Sequence, residues 1–196
     1  LTLRIACANA TEAADRVAQG ASSRWELDAL DYLETRDAES ITRKENCLLA
    51  RLGGPLDANA ALAEEIKQTW PCARILDDIE PNSVWSKLLE FAWAHADGVL
   101  AKVPITLATL EGVASAVAKI HDARAHFSAG GNVAFVSLAC DSDAAKLDAD
   151  LRVLGLPALA LRGKGTPAQL GASHDSAIAE GVGIVFDPGK RFAPLE

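Results

Sequence analysis

With 196 residues, 49% of them hydrophobic and 23% charged, the chain has the make-up of one large globular domain or two small ones. Its net charge of −8, from 19 basic and 27 acidic residues with no basic stripe, argues against a nucleic-acid partner, whose phosphates need clustered Lys and Arg. No uncharged apolar run approaches the ~18 residues of a membrane span, and the best stretch, 99–110, is broken by Lys102, Pro104 and Thr106.

The first segment, LTLRIAC, alternates, with Leu1, Leu3, Ile5 and Cys7 on one face, so it reads as a half-buried strand. Thr11 is the expected N-cap of a helix whose apolar stripe is Ala14, Val17, Ala18 and Ala21. Alternation resumes in RWELDALDYLE. A polar loop over 35–45 leads to the strand NCLLARLGG, which Gly53, Gly54 and Pro55 close. Asp57 can cap a helix with Leu62, Ile66 and Trp70 on one face; Pro71 stops it, and CARILDD gives another strand. The next helix, from PNSVWSKLLEFAWAH, reads as a linker with Trp85, Leu88, Leu89 and Ala92 along one side and Trp93 eight residues from Trp85.

The same order then recurs. GVLAKVPI is a strand and TLATLEGVASAVAKIHDA a helix. AHFSA and VAFVSLAC form a hairpin whose Gly130-Gly131-Asn132 turn supplies the positive φ values a tight reversal needs. Asp141 caps a helix to about Leu154, and PALALRG is the last strand. A terminal helix near 167–181 is expected before the closing turn Asp187-Pro188-Gly189. Two runs of β-α-β-β-α-β predict an α+β fold: a duplicated ferredoxin-like arrangement with antiparallel sheets, plus linking and C-terminal helices. The units are 1–80 and 98–163, with the linking helix at 81–97 and the C-terminal helix and docking tail at 164–196. A sheet with helices on one side leaves the other side needing cover, from the second sheet or from a partner domain.

Motifs for chemistry are sparse. GKGTPAQLG lacks the spacing of a phosphate loop, and no GxGxxG or GxSxG is present. Cys7, Cys47, Cys72 and Cys140 form no CxxC pair, so we expect free, buried thiols in a reducing compartment and no metal site. His121 and His126 are poorly spaced for a metal, and His95 is expected at a helix end. His174, in GASHDSA, is a candidate for touching substrate. The cluster Asp77, Asp78 and Glu80 reads as a solvated strand end. The missing initial Met and signal-type segment lead us to expect a piece of a longer polypeptide.

The tail GIVFDPGKRFAPLE, with Phe186, Asp187, Pro188, Arg191, Phe192 and Pro194, resembles the closing segment of FAD-linked oxidases of the vanillyl-alcohol oxidase type. ALDYLE, LLARLGG and ILDDIEPNSVWSKLLEF are similar to segments of the flavin-binding subunit of glycolate oxidase. Ala193 and Leu195 stand where that family has the Asn and Gly of its NPG ending. The resemblance implies a C-terminal cap domain, itself a duplicated ferredoxin-like fold, in an FAD-dependent oxidoreductase acting on the CH–OH of 2-hydroxy acids. FAD would be bound mainly by an N-terminal domain outside this chain, so the isolated chain is expected to be inactive. Expected partners are that FAD-binding domain, other oxidase subunits and a small 2-hydroxy acid, in the cytoplasm or at the inner membrane through partner subunits. The tail residues Asp187, Pro188 and Arg191 would dock toward the cofactor, and Arg51 and Arg162 would hold the substrate carboxylate. The other reading is a non-catalytic, dimeric ferredoxin-like module that binds a ligand or a subunit.

Overall fold

In this computed structural model, which describes residues 1–34, 45–76, 81–173 and 185 (81 and 82 as backbone alone), LTLRIAC becomes strand β1, Thr2–Ala6. Leu3 and Ile5 are fully buried on its inner side. Helix α1, Ala10–Ser22, starts one residue before Thr11, and its N-cap is Asn9. Asn9 Oδ1 accepts the Glu12 N–H at 2.9 Å, and the Glu12 carboxylate accepts the Ala8 N–H at 2.6 Å. Asn caps as well as a hydroxyl residue, and the Glu three positions on also ties down the residue ahead of the cap.

Strands β2 (Ala29–Leu33) and β3 (Cys47–Arg51) follow. Helix α2, Leu56–Thr69, is closed by Trp70 and Pro71 and leads into the short strand β4, Ala73–Ile75. Helix α3 is Pro81–Leu89. The second half contains β5 (Val99–Pro104), α4 (Leu107–Ala118), β6 (Arg124–Ser128) and β7 (Val133–Leu138). A 3-10 turn, Asp141–Asp143, runs into α5 (Ala144–Val153), followed by β8 (Pro157–Arg162) and β9 (Gln169–Gly171). The β6–β7 reversal uses left-handed backbone at Ala129, Gly130 and Gly131, as the glycine pair predicts.

All nine strands lie in one antiparallel sheet, ordered β4-β1-β3-β2-β6-β7-β5-β8-β9. Each half places its strands in the order fourth, first, third, second. The halves join where β2 pairs with β6, through Tyr32 opposite Phe127 and Leu33 opposite His126. The separate sheets expected from the sequence are therefore one sheet whose halves lie side by side, and neither half covers the other.

Helices α1, α2, α4 and α5 pack on one side. Their Val17, Ile66, Val113 and Leu147 meet Leu3, Leu48, Phe127 and Val136 from the strands in one continuous core. The expected linker does more than connect. Val84, Trp85 and Leu88 of α3, with Trp93 just beyond it, bury Leu33, Cys47, Leu49 and Leu100 on the opposite side of the sheet. Helix α3 ends at Leu89, so Trp85 and Trp93 share a cluster without sharing a helix, and Leu89 is 75% exposed rather than packed.

The start of the expected terminal helix is overturned: residues 169–171 form β9 against β8. Leu170 is buried there, and Gly171 has φ +79°. A Cβ at Gly171 would stand 2.1 Å from the Leu156 carbonyl oxygen, and its N–H donates to Asp148 Oδ1 at 2.7 Å. That close approach and left-handed backbone are incompatible with a helix passing through this residue.

Candidate binding cleft on the second sheet face

Alternation along β2, β3 and β6 sends Asp31, Arg51, His126 and Ser128 to the side of the sheet that carries α3. Asp31 and His126 come from different halves and are both buried. His126 Nε2 is 2.7 Å from Asp31 Oδ2, and Ser128 Oγ donates to both carboxylate oxygens at 3.1 Å. The trio comes together because β2 and β6 are neighbours; it is not a hydrolytic triad, since the serine hydroxyl serves the carboxylate and not the imidazole. The His126 ring lies 5.9 Å from Trp93, edge-on, and 6.0 Å from Phe135. Arg124 Nη1 donates to the Trp93 carbonyl at 2.7 Å, fixing the turn that carries this indole. Among the described residues, His126 Nδ1, Trp93 Nε1 and Arg124 Nε are buried without a hydrogen-bond partner.

Beside the trio opens a cleft of about 620 Å³. Its walls include Asp31 and Arg51 from the first half, Ser128 and Gly130 from the second, and Trp85 and Leu89 from α3. A volume of this size suits a small organic ligand. The Arg51 guanidinium carbon sits 5.9 Å from the Trp85 ring centroid. The Trp85 indole N–H donates to Thr2 Oγ1 at 3.0 Å, which holds that ring in place. No hydrogen bond or ion pair to a described residue occupies the Arg51 guanidinium, so its N–H fork is free to take an oxyanion. Glu26 and Asp28 also line the cleft and make its rim acidic.

Arg162 lies elsewhere. It donates to the carbonyls of Gly98 at 3.3 Å and His95 at 2.5 Å, locking the turn ahead of β5, and it does not line the cleft. The structure therefore does not bring Arg51 and Arg162 together. His95 sits in that same turn, past the end of α3, with Nε2 2.8 Å from the Asp122 carbonyl. His174, the tail residues Asp187, Pro188 and Arg191, and the cluster Asp77, Asp78 and Glu80 lie outside the described residues, as does most of the polar loop over 35–45. The four cysteines are free; Cys7 and Cys47 are buried, Cys72 is half-buried and Cys140 is exposed, against the expectation that all four would be buried. Cys140 is exposed because it lies two residues past the end of β7, in the bend before the 3-10 turn, with Sγ 3.1 Å from Asp143 Oδ2. The Asp31–His126 pair escaped sequence reasoning, although a charged residue at the centre of the apolar strand ALDYL was its one visible sign.

Among the described residues no helix is long and apolar enough to cross a membrane. No protein-family model matches the chain. No curated protein matches it either.

Proposed function

We propose that this chain is the substrate-side cap of an FAD-dependent 2-hydroxyacid oxidase or dehydrogenase, framed as a duplicated ferredoxin-like pair. Three things support the reading. The strand order fourth-first-third-second occurs in both halves. Among the described residues, four helices gather on one face, and the other face carries α3 and the turn after it. That second face holds a cleft with a free arginine. The observation that carries the proposal is the last: Arg51, stacked on Trp85 and unengaged, is suited to the carboxylate of a small acid.

The described residues do not make a site for FAD itself. Gly53-Gly54-Pro55 leads into α2, but Asp57 brings its own negative charge to that first turn, and Asn59 Nδ2 is spent on the Gly54 carbonyl at 3.2 Å. A pyrophosphate finds no cradle there. In this reading the cofactor is held by a separate flavin domain, and this chain binds and orients the acid. Arg51 would take the carboxylate, and Asp31, held by His126 and Ser128, would face the cleft as a fixed acceptor for a substrate hydroxyl.

The test is to purify the full-length product of the coding sequence that contains this chain, record its flavin absorbance, and add glycolate or lactate without oxygen. The reading expects bound flavin that bleaches with the acid. A colourless protein that binds small carboxylic acids would instead favour the non-catalytic module, a reading supported by the lack of a pyrophosphate cradle among the described residues.

A further inference from the structure

Cys7 and Cys72 are distant in sequence and meet beside α1. The β1–β4 register sets Ile5 opposite Ala73; continued by one residue, it brings Cys72 beside Ala6, one step from Cys7. Cys72 Sγ lies 3.6 Å from the Ala6 carbonyl oxygen, which agrees with that placement. A single nitrogen, Arg16 Nη1, is 3.0 Å from Cys72 Sγ and 3.9 Å from Cys7 Sγ. The two sulfurs are thus at most about 7 Å apart, and because Cys72 lies in the turn before β4 and not in the ladder, rotation of its side chain can bring them closer.

The surroundings differ for the two thiols. Cys72 is half-buried and open to small solutes, with the Arg16 cation against its sulfur. Arg16 is itself held by Glu12 and by the Ala6 carbonyl. Cys7 is 7% exposed. Burial pushes its thiol up to about 11, only partly offset by Arg16, with Glu12, Cys72 and the Leu48 backbone as the other groups facing it.

We propose that Cys7 and Cys72 form a peroxide-responsive dithiol–disulfide couple in which Cys72 reacts first and Cys7 closes the bridge. The Cys72 sulfur attacks one oxygen of hydrogen peroxide, the O–O bond breaks, and the other oxygen leaves as water, giving a sulfenic acid. The Cys7 thiol loses its proton and displaces the hydroxyl from the Cys72 sulfur as a second water. Two thiols give up two electrons and two protons, and peroxide is reduced to two waters.

The experiment treats the full chain with hydrogen peroxide, alkylates the remaining thiols in denaturant, and identifies the peptides by mass. The expected product is one intramolecular link between the peptides of Cys7 and Cys72, lighter by two hydrogens, with Cys47 and Cys140 alkylated. Because the closing thiol ionises only far above neutrality, bridge formation should quicken roughly tenfold per pH unit between about 7 and 9. Cys72→Ser should leave Cys7 reduced, whereas Cys7→Ser should leave a Cys72 sulfenic acid that dimedone traps. Recovery of all four thiols after peroxide, a bridge to Cys140 or to a second molecule, or oxidation of Cys7 in the Cys72→Ser chain would each overturn the proposal.

Discussion

Asp31 and His126, 95 residues apart in sequence, are joined by a 2.7 Å contact that crosses the line between the two halves of the sheet. Both side chains are buried, so His126 depends on Asp31 for its hydrogen bond, and Asp31 depends on His126 and Ser128. Replacing His126 by Phe strands part of the carboxylate away from water, and His126→Phe should lower stability by about 1–3 kcal/mol. Urea unfolding measures it. The double variant Asp31→Leu/His126→Phe should recover part of the loss, because removing both partners leaves nothing polar unsatisfied between them.

Arg51 and Trp85 carry the ligand hypothesis. If the flavin enzyme is as proposed, Arg51→Ala should raise KM for the hydroxy acid about 10–100-fold, the loss of one charge-assisted contact. Arg51→Lys should fall between, since an ammonium keeps the charge but not the fork. Steady-state kinetics at fixed acceptor concentration read both. An unchanged KM in a working flavin enzyme would move the carboxylate site elsewhere.

Trp85 also has a structural duty that can be separated from binding. Its N–H meets Thr2 Oγ1, and Thr2 is only 1% exposed. Trp85→Phe removes that donor and leaves a smaller ring in the second core, at an expected cost of about 1–3 kcal/mol by chemical denaturation. Thr2→Val in the Trp85→Phe background should add little further loss, because the hydroxyl has already lost its partner.

Acid should loosen β9. Asp148 sits at the junction of α5 and β9, accepting from Arg152 at 2.8 and 3.2 Å and from the Gly171 N–H at 2.7 Å. The Arg152 guanidinium, and then the Gly171 amide, hold its carboxyl below the ordinary carboxylate value. A depressed folded value means that the carboxylate's contribution is fully present above about pH 4 and is lost as pH falls through that lower value. Gly171 amide exchange, followed by NMR between neutral pH and about pH 3, should speed up relative to β1 amides after correction for the intrinsic rate. In Asp148→Asn the pH-dependent part of that difference should vanish.

The alternation of LTLRIAC and the glycine pair at 130–131 led directly to β1 and to the β6–β7 hairpin, because both are local signals. What failed was decided by distant partners. The cap moved from Thr11 to Asn9, whose side chain accepts the Glu12 N–H, a bond that spacing alone does not select. The apolar stripe of α3 was visible, but not that it would cover the opposite face of the sheet, since amphipathicity names a buried side and not its mate. Residues Gln169–Gly171 look helical in pattern, and only the Asp148 and Leu156 contacts of Gly171 make them a strand. The Asp31–His126–Ser128 group needed β2 and β6 to be adjacent, a pairing made between halves that each also read as complete.

The join between β2 and β6 rests on two opposed residue pairs, whereas β5 and β7 align six. Asp31 and Arg51 stand on one side of this short suture, and Ser128 and Gly130 on the other. The two walls of the cleft are therefore tied by the narrowest stitch in the fabric, and it falls to the buried Asp31–His126 contact and the shared cores to hold its aperture fixed.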